Sequence, residues 1–194
     1  MRISCITRAS EIGAHAPDLI VLPEYTDRTV VQQLGRTYPE SVVVTAVELD
    51  GRSCGRLIFQ RRNWIDYKKI DTDGRTTGTG IFPKSAVCHF PHMSVGVVIC
   101  IDIQNLIFVN DVIRQLRSSE AQHKFLCIPA DMGSEWFGSD TLLGDFEGVH
   151  VAMSNRTHYS PPIKRLQSAS FITDIHGRKV VKRATTETIQ LRLD

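Results

Sequence analysis

Short apolar runs rich in branched side chains recur along this chain: RISCI at 2–6, DLIVL at 18–22, SVVVTAVEL at 41–49, SVGVVICI at 94–101, FLCIPA at 125–130 and VHVAMSN at 149–155. Runs of this length, bounded by turn residues, read as strands buried in a sheet. Between them lie segments of helical period: 8–16, 29–35 (TVVQQLG), 139–147, and 105–118, where Leu106, Val109, Val112, Ile113 and Leu116 share one stripe. RISCI, the segment at 8–16 and DLIVL form a βαβ beginning. Other neighbours call for antiparallel pairing. Asp50 and Gly51 mark a turn, RLIFQ (56–60) faces IDYKKI (65–70), and SAVCHF (85–90) faces SVGVVICI across Pro91 and His92. ASFITDI (169–175) faces RKVVKRA (178–184) across His176 and Gly177. The expected fold is therefore mixed α/β, with helices covering sheets that contain antiparallel strands, rather than a purely parallel dinucleotide-binding fold.

Size and charge limit the remaining choices. A chain of 194 residues, 42% hydrophobic, with no internal repeat or linker, reads as one domain spanning 1–194. Its 23 basic and 21 acidic residues leave a net charge of +2, without the basic footprint of a nucleic-acid binder. The start, MRISCITRASEIG, lacks the apolar core of a signal peptide, and no apolar run approaches the ~20 residues that cross a bilayer. Five cysteines, an odd number without CxxC spacing, suggest free thiols in a reducing compartment. The expectation is a soluble, cytoplasmic protein.

Two of the buried runs end in chemistry. LIVLPEY delivers Glu24, and VGVVICID delivers Cys100. IDYKKI offers Lys68 and Lys69, which point opposite ways if the segment is extended. In open α/β sheets reactive groups gather at the carboxyl ends of strands, so a thiol, a carboxylate and an amine can meet at one edge. A working thiol nucleophile needs a base for its proton and a cation for the developing charge, and these are the residue types for both tasks. Cys5 and Cys127, in comparable apolar runs, read as core fillers. CHFPH (88–92) holds Cys88, His89 and His92, but its proline and flanking strands fit a hairpin turn better than zinc. TTGTG (76–80) lacks the remainder of a phosphate loop and reads as a loop. Asp102 reads as a cap or backbone acceptor near the following helix. Trp136 and Phe137 either line a pocket or cover core and subunit surfaces.

Taken together and in this order, LPE with Glu24, YKK with Lys69 two residues after Tyr67, and GVVICID with Cys100 resemble the nitrilase superfamily of carbon-nitrogen hydrolases. CIPADMGSEW, VAMSNRT and SASFITDIHGRKV resemble the family's later strands and loops, so the likeness spans the chain. It implies an αββα sandwich, homodimers or larger homo-oligomers, and no metal or organic cofactor. It also implies roles: Glu24 as general base, Lys69 as oxyanion stabiliser aided by the Ile101 backbone N–H, Cys100 as nucleophile, and Asp73, Met132 and Trp136 about the substrate pocket. The substrate would be a small amide, or less readily a nitrile, cleaved through a thioester. A second glutamate common in the family after the lysine has no counterpart in IDTDGRTTGTGIFPK, where Asp71 and Asp73 are the acids. That departure motivates one alternative, a nitrilase-like module acting in ligand binding or assembly; a separate alternative is an acyltransferase using the same thioester.

Overall fold

The computed structural model of the chain describes residues 1–5, 17–59, 63–71, 78–80, 85–131, 145–155, 169–184 and 189–193. Its strands are β1 (Arg2–Cys5), β2 (Leu19–Glu24), β3 (Val42–Leu49), β4 (Arg52–Phe59), β5 (Asn63–Lys68), β6 (Val87–His89), β7 (Met93–Val97), β8 (His123–Ala130), β9 (His150–Asn155), β10 (Ala169–Thr173), β11 (Lys179–Ala184) and β12 (Ile189–Arg192). The helices are α1 (Arg28–Thr37) and α2 (Leu106–Arg117), with a short 3-10 helix over Cys100–Gln104. Two six-stranded sheets result, ordered β12-β1-β2-β3-β4-β5 and β11-β10-β9-β8-β7-β6. They pack face to face through β2 and β3 against β8 and β9, while α1 lies on β3 and α2 on β7 and β8. This is the αββα sandwich expected from the sequence.

Coverage on both faces explains the composition of the central strands. Every residue of β2 is buried, and so is every residue of β9, because one face meets the opposite sheet and the other a helix or loop layer. The antiparallel connections follow the turn chemistry. Asp50 (φ 52°) and Gly51 (φ 70°) both occupy the left-handed region, as a two-residue turn of the kind favoured between β3 and β4 requires. The β6–β7 and β10–β11 hairpins also form as expected. Strand β12 was not anticipated; it closes the first sheet by pairing antiparallel with β1, joining the two ends of the chain. The helical segment expected at 8–16 lies outside the described residues, as does most of that at 139–147. The described end of the latter, 145–148, is a turn leading into β9.

Helix α2 differs from its expected stripe at two positions, with Phe108 buried in place of Leu106. Its buried residues are Phe108, Val109, Val112, Ile113 and Leu116, whereas Leu106 is 64% exposed. At about 100° per residue Leu106 falls on the margin of that stripe, past Ile113. The helix sits close on β7 because residue 96 has no side chain: a Cβ there would lie 2.6 Å from Val112 Cγ1 and 3.1 Å from Leu116 Cδ1. Gly96→Ala is accordingly expected to destabilise the fold by about 1–3 kcal/mol through overpacking. A urea-unfolding midpoint unchanged from the parent would show that α2 can move away at no cost.

Candidate active site

Proline 23 shapes the end of β2. Lacking an N–H, it cannot continue the ladder, and the β2–β3 register shifts between Val21 and Glu24. Its carbonyl is taken instead by the hydroxyls of Thr26 (2.7 Å) and Thr45 (3.3 Å). The irregularity re-aims the next side chain, and Glu24 is wholly buried. Tyr25 then turns the chain with φ 59°.

Lys69 follows β5 and is also wholly buried, whereas Lys68 faces outward. Strand alternation thus separates the two neighbours. The backbone of Lys69 is held on both sides: its N–H donates to the Ser53 carbonyl (3.1 Å) and its carbonyl accepts from Thr79 N–H (2.9 Å). Its ammonium donates to Glu24 Oε1 at 2.8 Å. Ser53 Oγ donates to that same oxygen at 2.6 Å. Glu24 Oε2, by contrast, has no hydrogen-bond partner among the described residues.

Cys100 opens the 3-10 helix with φ 48° and is 4% exposed. A non-glycine residue in the left-handed region costs on the order of 1–3 kcal/mol, and such strain concentrates at functional sites. The amides of Cys100 and Ile101 precede the first bond of this helix, from Asp102 N–H to the Ile99 carbonyl. Burial pushes the Cys100 thiol well above its ordinary pKa, and the nearby Glu24 charge adds to that shift. The Lys69 charge and the backbone N–H of Asp131 oppose it. The resting site is thus a thiol beside an ion pair, and a proton acceptor is needed to activate it.

Asp102 is a backbone acceptor, as one of its two expected readings had it, but for a distant segment rather than for the following helix. Asn105, not Asp102, caps α2, its Oδ1 accepting from Phe108 N–H at 3.2 Å. The Asp102 carboxylate instead accepts from the N–H groups of Ile70 (3.0 Å) and Asp71 (2.8 Å). It therefore ties the segment after Lys69 to the turn that carries Cys100. Burial raises its pKa from 3.8 to about 6, against the pull of the Asp71 and Ile70 amides and the Lys69 charge. A raised carboxyl pKa means that the folded state holds the proton more tightly than the unfolded chain. Its contribution to stability is full below 3.8 and is lost as pH rises through about 6. Asp102→Asn removes this titration, so the stability of the parent relative to the variant is expected to fall across that window, by up to about 3 kcal/mol. Urea unfolding of both proteins at several pH values measures it; a constant difference would mean that Asp102 does not titrate there.

The three sequence-predicted catalytic residues therefore converge: Glu24, Lys69 and Cys100 share one buried site at the carboxyl ends of β2, β5 and β7. Asp73, Met132 and Trp136, expected near the substrate, lie outside the described residues, as does Phe137. Sequence reasoning missed Ser53, Asp131 and the distant partners of Asp102. Cys88, His89 and His92 do not converge: Cys88 Sγ pairs with Tyr67 OH (3.1 Å) and His89 Nδ1 with Ser94 Oγ (2.9 Å). Among the described residues no three His, Cys, Asp or Glu side chains gather as metal ligands. None of the described helices is long and apolar enough to cross a membrane. A cleft of about 620 Å³ opens at the opposite, amino-terminal edge of the sheets, between Asp18, Glu40, Phe90, His92 and His123, and its lining includes none of Glu24, Lys69 and Cys100.

The chain matches no family model, and no curated protein matches it by sequence. Its fold nevertheless matches solved structures over essentially its whole length. The NitN amidase from Nesterenkonia sp. AN1 is 12% identical, with TM-score 0.74 and coverage of 100% of this chain and 93% of that one. Saccharomyces cerevisiae Nit3, from branch 10 of the nitrilase superfamily, is 14% identical, with TM-score 0.73 and coverage of 100% and 90%. XC1258 from Xanthomonas campestris, a CN-hydrolase superfamily protein with an arsenic adduct in its active site, is 13% identical, with TM-score 0.68 and coverage of 98% and 89%. A glutamate-to-glutamine variant of the Nesterenkonia amidase carries acrylamide added to its active-site cysteine, and a cysteine-to-alanine variant of it holds butyramide. The fold is that of nitrilase-superfamily structures.

Proposed function

We propose that this chain is a thiol-dependent hydrolase of small amides that uses Glu24, Lys69 and Cys100. The observation that carries the proposal is the arrangement of three buried groups. A carboxylate with one oxygen engaged by Lys69 and Ser53 and the other left over lies beside a thiol held in a strained strand-to-helix turn.

The chemistry follows from those positions. Glu24 takes the proton of the Cys100 thiol as Sγ attacks the amide carbon. Negative charge moves onto the carbonyl oxygen, where the Lys69 ammonium and the Ile101 N–H stabilise it. The C–N bond then breaks, and the nitrogen leaves as ammonia or an amine with the proton held by Glu24. Water attacks the resulting thioester, gives its proton to the same carboxylate, and releases the acid and the thiol. Each proton that enters Glu24 leaves it again within one turnover. An acyltransferase would follow the same path with an amine or alcohol in place of water; nothing in the described residues favours it over hydrolysis.

A panel of short aliphatic amides, assayed for ammonia and for the acid, tests this. The expected result is release of both in equal amounts, a mass increase on the Cys100 peptide after acid quench, and loss of both signals in Cys100→Ala. Removing the nucleophile of a cooperating set costs on the order of 10⁶ in kcat. Acid formation that persists in Cys100→Ala, or no acyl adduct on any amide of the panel, would count against a thioester route. Self-association belongs to the same proposal, since Leu106 and Ile107 at the start of α2 are 64% and 75% exposed. Light scattering at micromolar concentration is expected to give at least twice the 21.8 kDa chain mass; a monomer would remove this part.

A further inference from the structure

Glu24 is held asymmetrically. Two donors, the Lys69 ammonium and the Ser53 hydroxyl, converge on Oε1 at 2.8 and 2.6 Å, whereas Oε2 has none among the described residues. Ser53 is 1% exposed and lies on β4, the strand between β3 and β5. It is bonded to both residues: its hydroxyl donates to the Glu24 carboxylate and its carbonyl accepts the Lys69 backbone N–H at 3.1 Å.

We infer that Ser53 is a positioning residue, which locks the Glu24 carboxylate with Oε1 turned to Lys69 and Oε2 turned to Cys100 as the working base. The lock is needed because the terminal torsion of a glutamate is broad and nearly two-fold, so the ammonium alone leaves the carboxylate free to pivot about its Oε1 contact. A hydroxyl has a single proton to give, and here it gives it to the oxygen that already faces the lysine. With both acceptor directions of Oε1 engaged, the unshared electron pairs of Oε2 are the ones left to receive the thiol proton. The backbone bond from Lys69 to Ser53 keeps serine and lysine in register, so the two donors move together. This rests on Glu24 acting as the base for Cys100, and the test separates the two ideas.

The experiment is the rate of Cys100 alkylation by iodoacetamide between about pH 6 and pH 8, read by peptide mapping. The proteins are the parent, Ser53→Ala, Ser53→Thr, Glu24→Gln and the Ser53→Ala/Glu24→Gln pair. When an internal carboxylate takes the proton, the rate varies little with pH; when solvent must take it, the rate follows thiolate and rises about tenfold per pH unit below the thiol pKa. The parent is expected to show the shallow profile and Glu24→Gln the steep one. Ser53→Ala is expected to be steep as well, with a rate at pH 6 about tenfold below the parent, consistent with partial loss of general-base assistance. Ser53→Thr restores the hydroxyl and the shallow profile, and the double variant matches Glu24→Gln alone. A shallow Ser53→Ala profile beside a steep Glu24→Gln one would overturn the positioning role and leave the base intact. Parent and Glu24→Gln profiles of equal slope would overturn the base, and the role of Ser53 with it. A purely structural role for Ser53 predicts lower stability without a change in slope.

Discussion

Lys69→Ala is expected to lower unfolding stability by about 3–5 kcal/mol and to abolish amide turnover. The magnitude follows from burial. Lys69 and Glu24 both have no exposed side-chain surface, and their 2.8 Å contact lies inside the sandwich. Removing the ammonium leaves a carboxylate desolvated, with only the Ser53 hydroxyl to compensate, and breaking such a pair from one side is far more costly than its net worth. A double variant that removes both charges, Glu24→Gln with Lys69→Met, is expected to be more stable than Lys69→Ala although equally inactive. Urea unfolding of the three proteins checks both statements. A loss below about 1 kcal/mol, the range of exposed pairs, would mean that water reaches the site.

Glu24→Gln is expected to separate two properties that the parent combines. Turnover of amides should fall by about 10²–10⁴, the range that a positioned general base contributes. The thiol, however, should remain open to alkylation near pH 8, where solvent takes its proton, although the carboxylate no longer assists near pH 6. The Glu24 charge is one of the influences that hold the Cys100 proton on, second to burial, while the Lys69 charge works the other way. Removing the carboxylate therefore lets thiolate form at lower pH than in the parent, with the ammonium as its counterion. What is lost is the carrier that returns the proton to the leaving nitrogen. Amide turnover and alkylation, measured on the same preparation against pH, test this. Loss of alkylation at pH 8 as well as at pH 6, in parallel with turnover, would indicate that the substitution disrupts the site rather than its proton transfer.

Much of the fold was legible because its strands carry their own signals. Runs such as LIVL and VVV (42–44) are apolar at every position because both of their faces are covered, and Asp50–Gly51 is a turn that two left-handed residues demand. Glu24 and Cys100 stood out for a related reason: a carboxylate and a thiol placed where an apolar strand ends. Strand alternation set Lys68 and Lys69 facing opposite ways, the family resemblance favoured Lys69, and the fold buries Lys69 and exposes Lys68. The residues that went unseen act through pairings of distant segments. Ser53 follows a turn and looks like any polar residue at a strand start. Only the β4–β5 register, with Cys54 opposite Lys68, brings it beside Lys69, and only the sheet order brings it beside Glu24. Asp131 contributes a backbone N–H, which no side chain advertises. Asp102 accepts from amides about 30 residues earlier in the chain (separations of 32 and 31), and β12 is defined by a partner at the other end of the chain.

The central claim is that Cys100 is an activated nucleophile rather than a core thiol, and exposure makes the two separable. Among the described cysteines Cys88 is half-buried, whereas Cys54, Cys100 and Cys127 are buried. The deciding measurement is the order in which these cysteines of the folded parent are alkylated by iodoacetamide near neutral pH, followed by peptide mapping over time. An activated site predicts that Cys100 is labelled first, ahead of the more accessible Cys88. If Cys88 leads and Cys100 lags with Cys54 and Cys127, accessibility alone governs the thiols, and Glu24 and Lys69 do not make a nucleophile of Cys100.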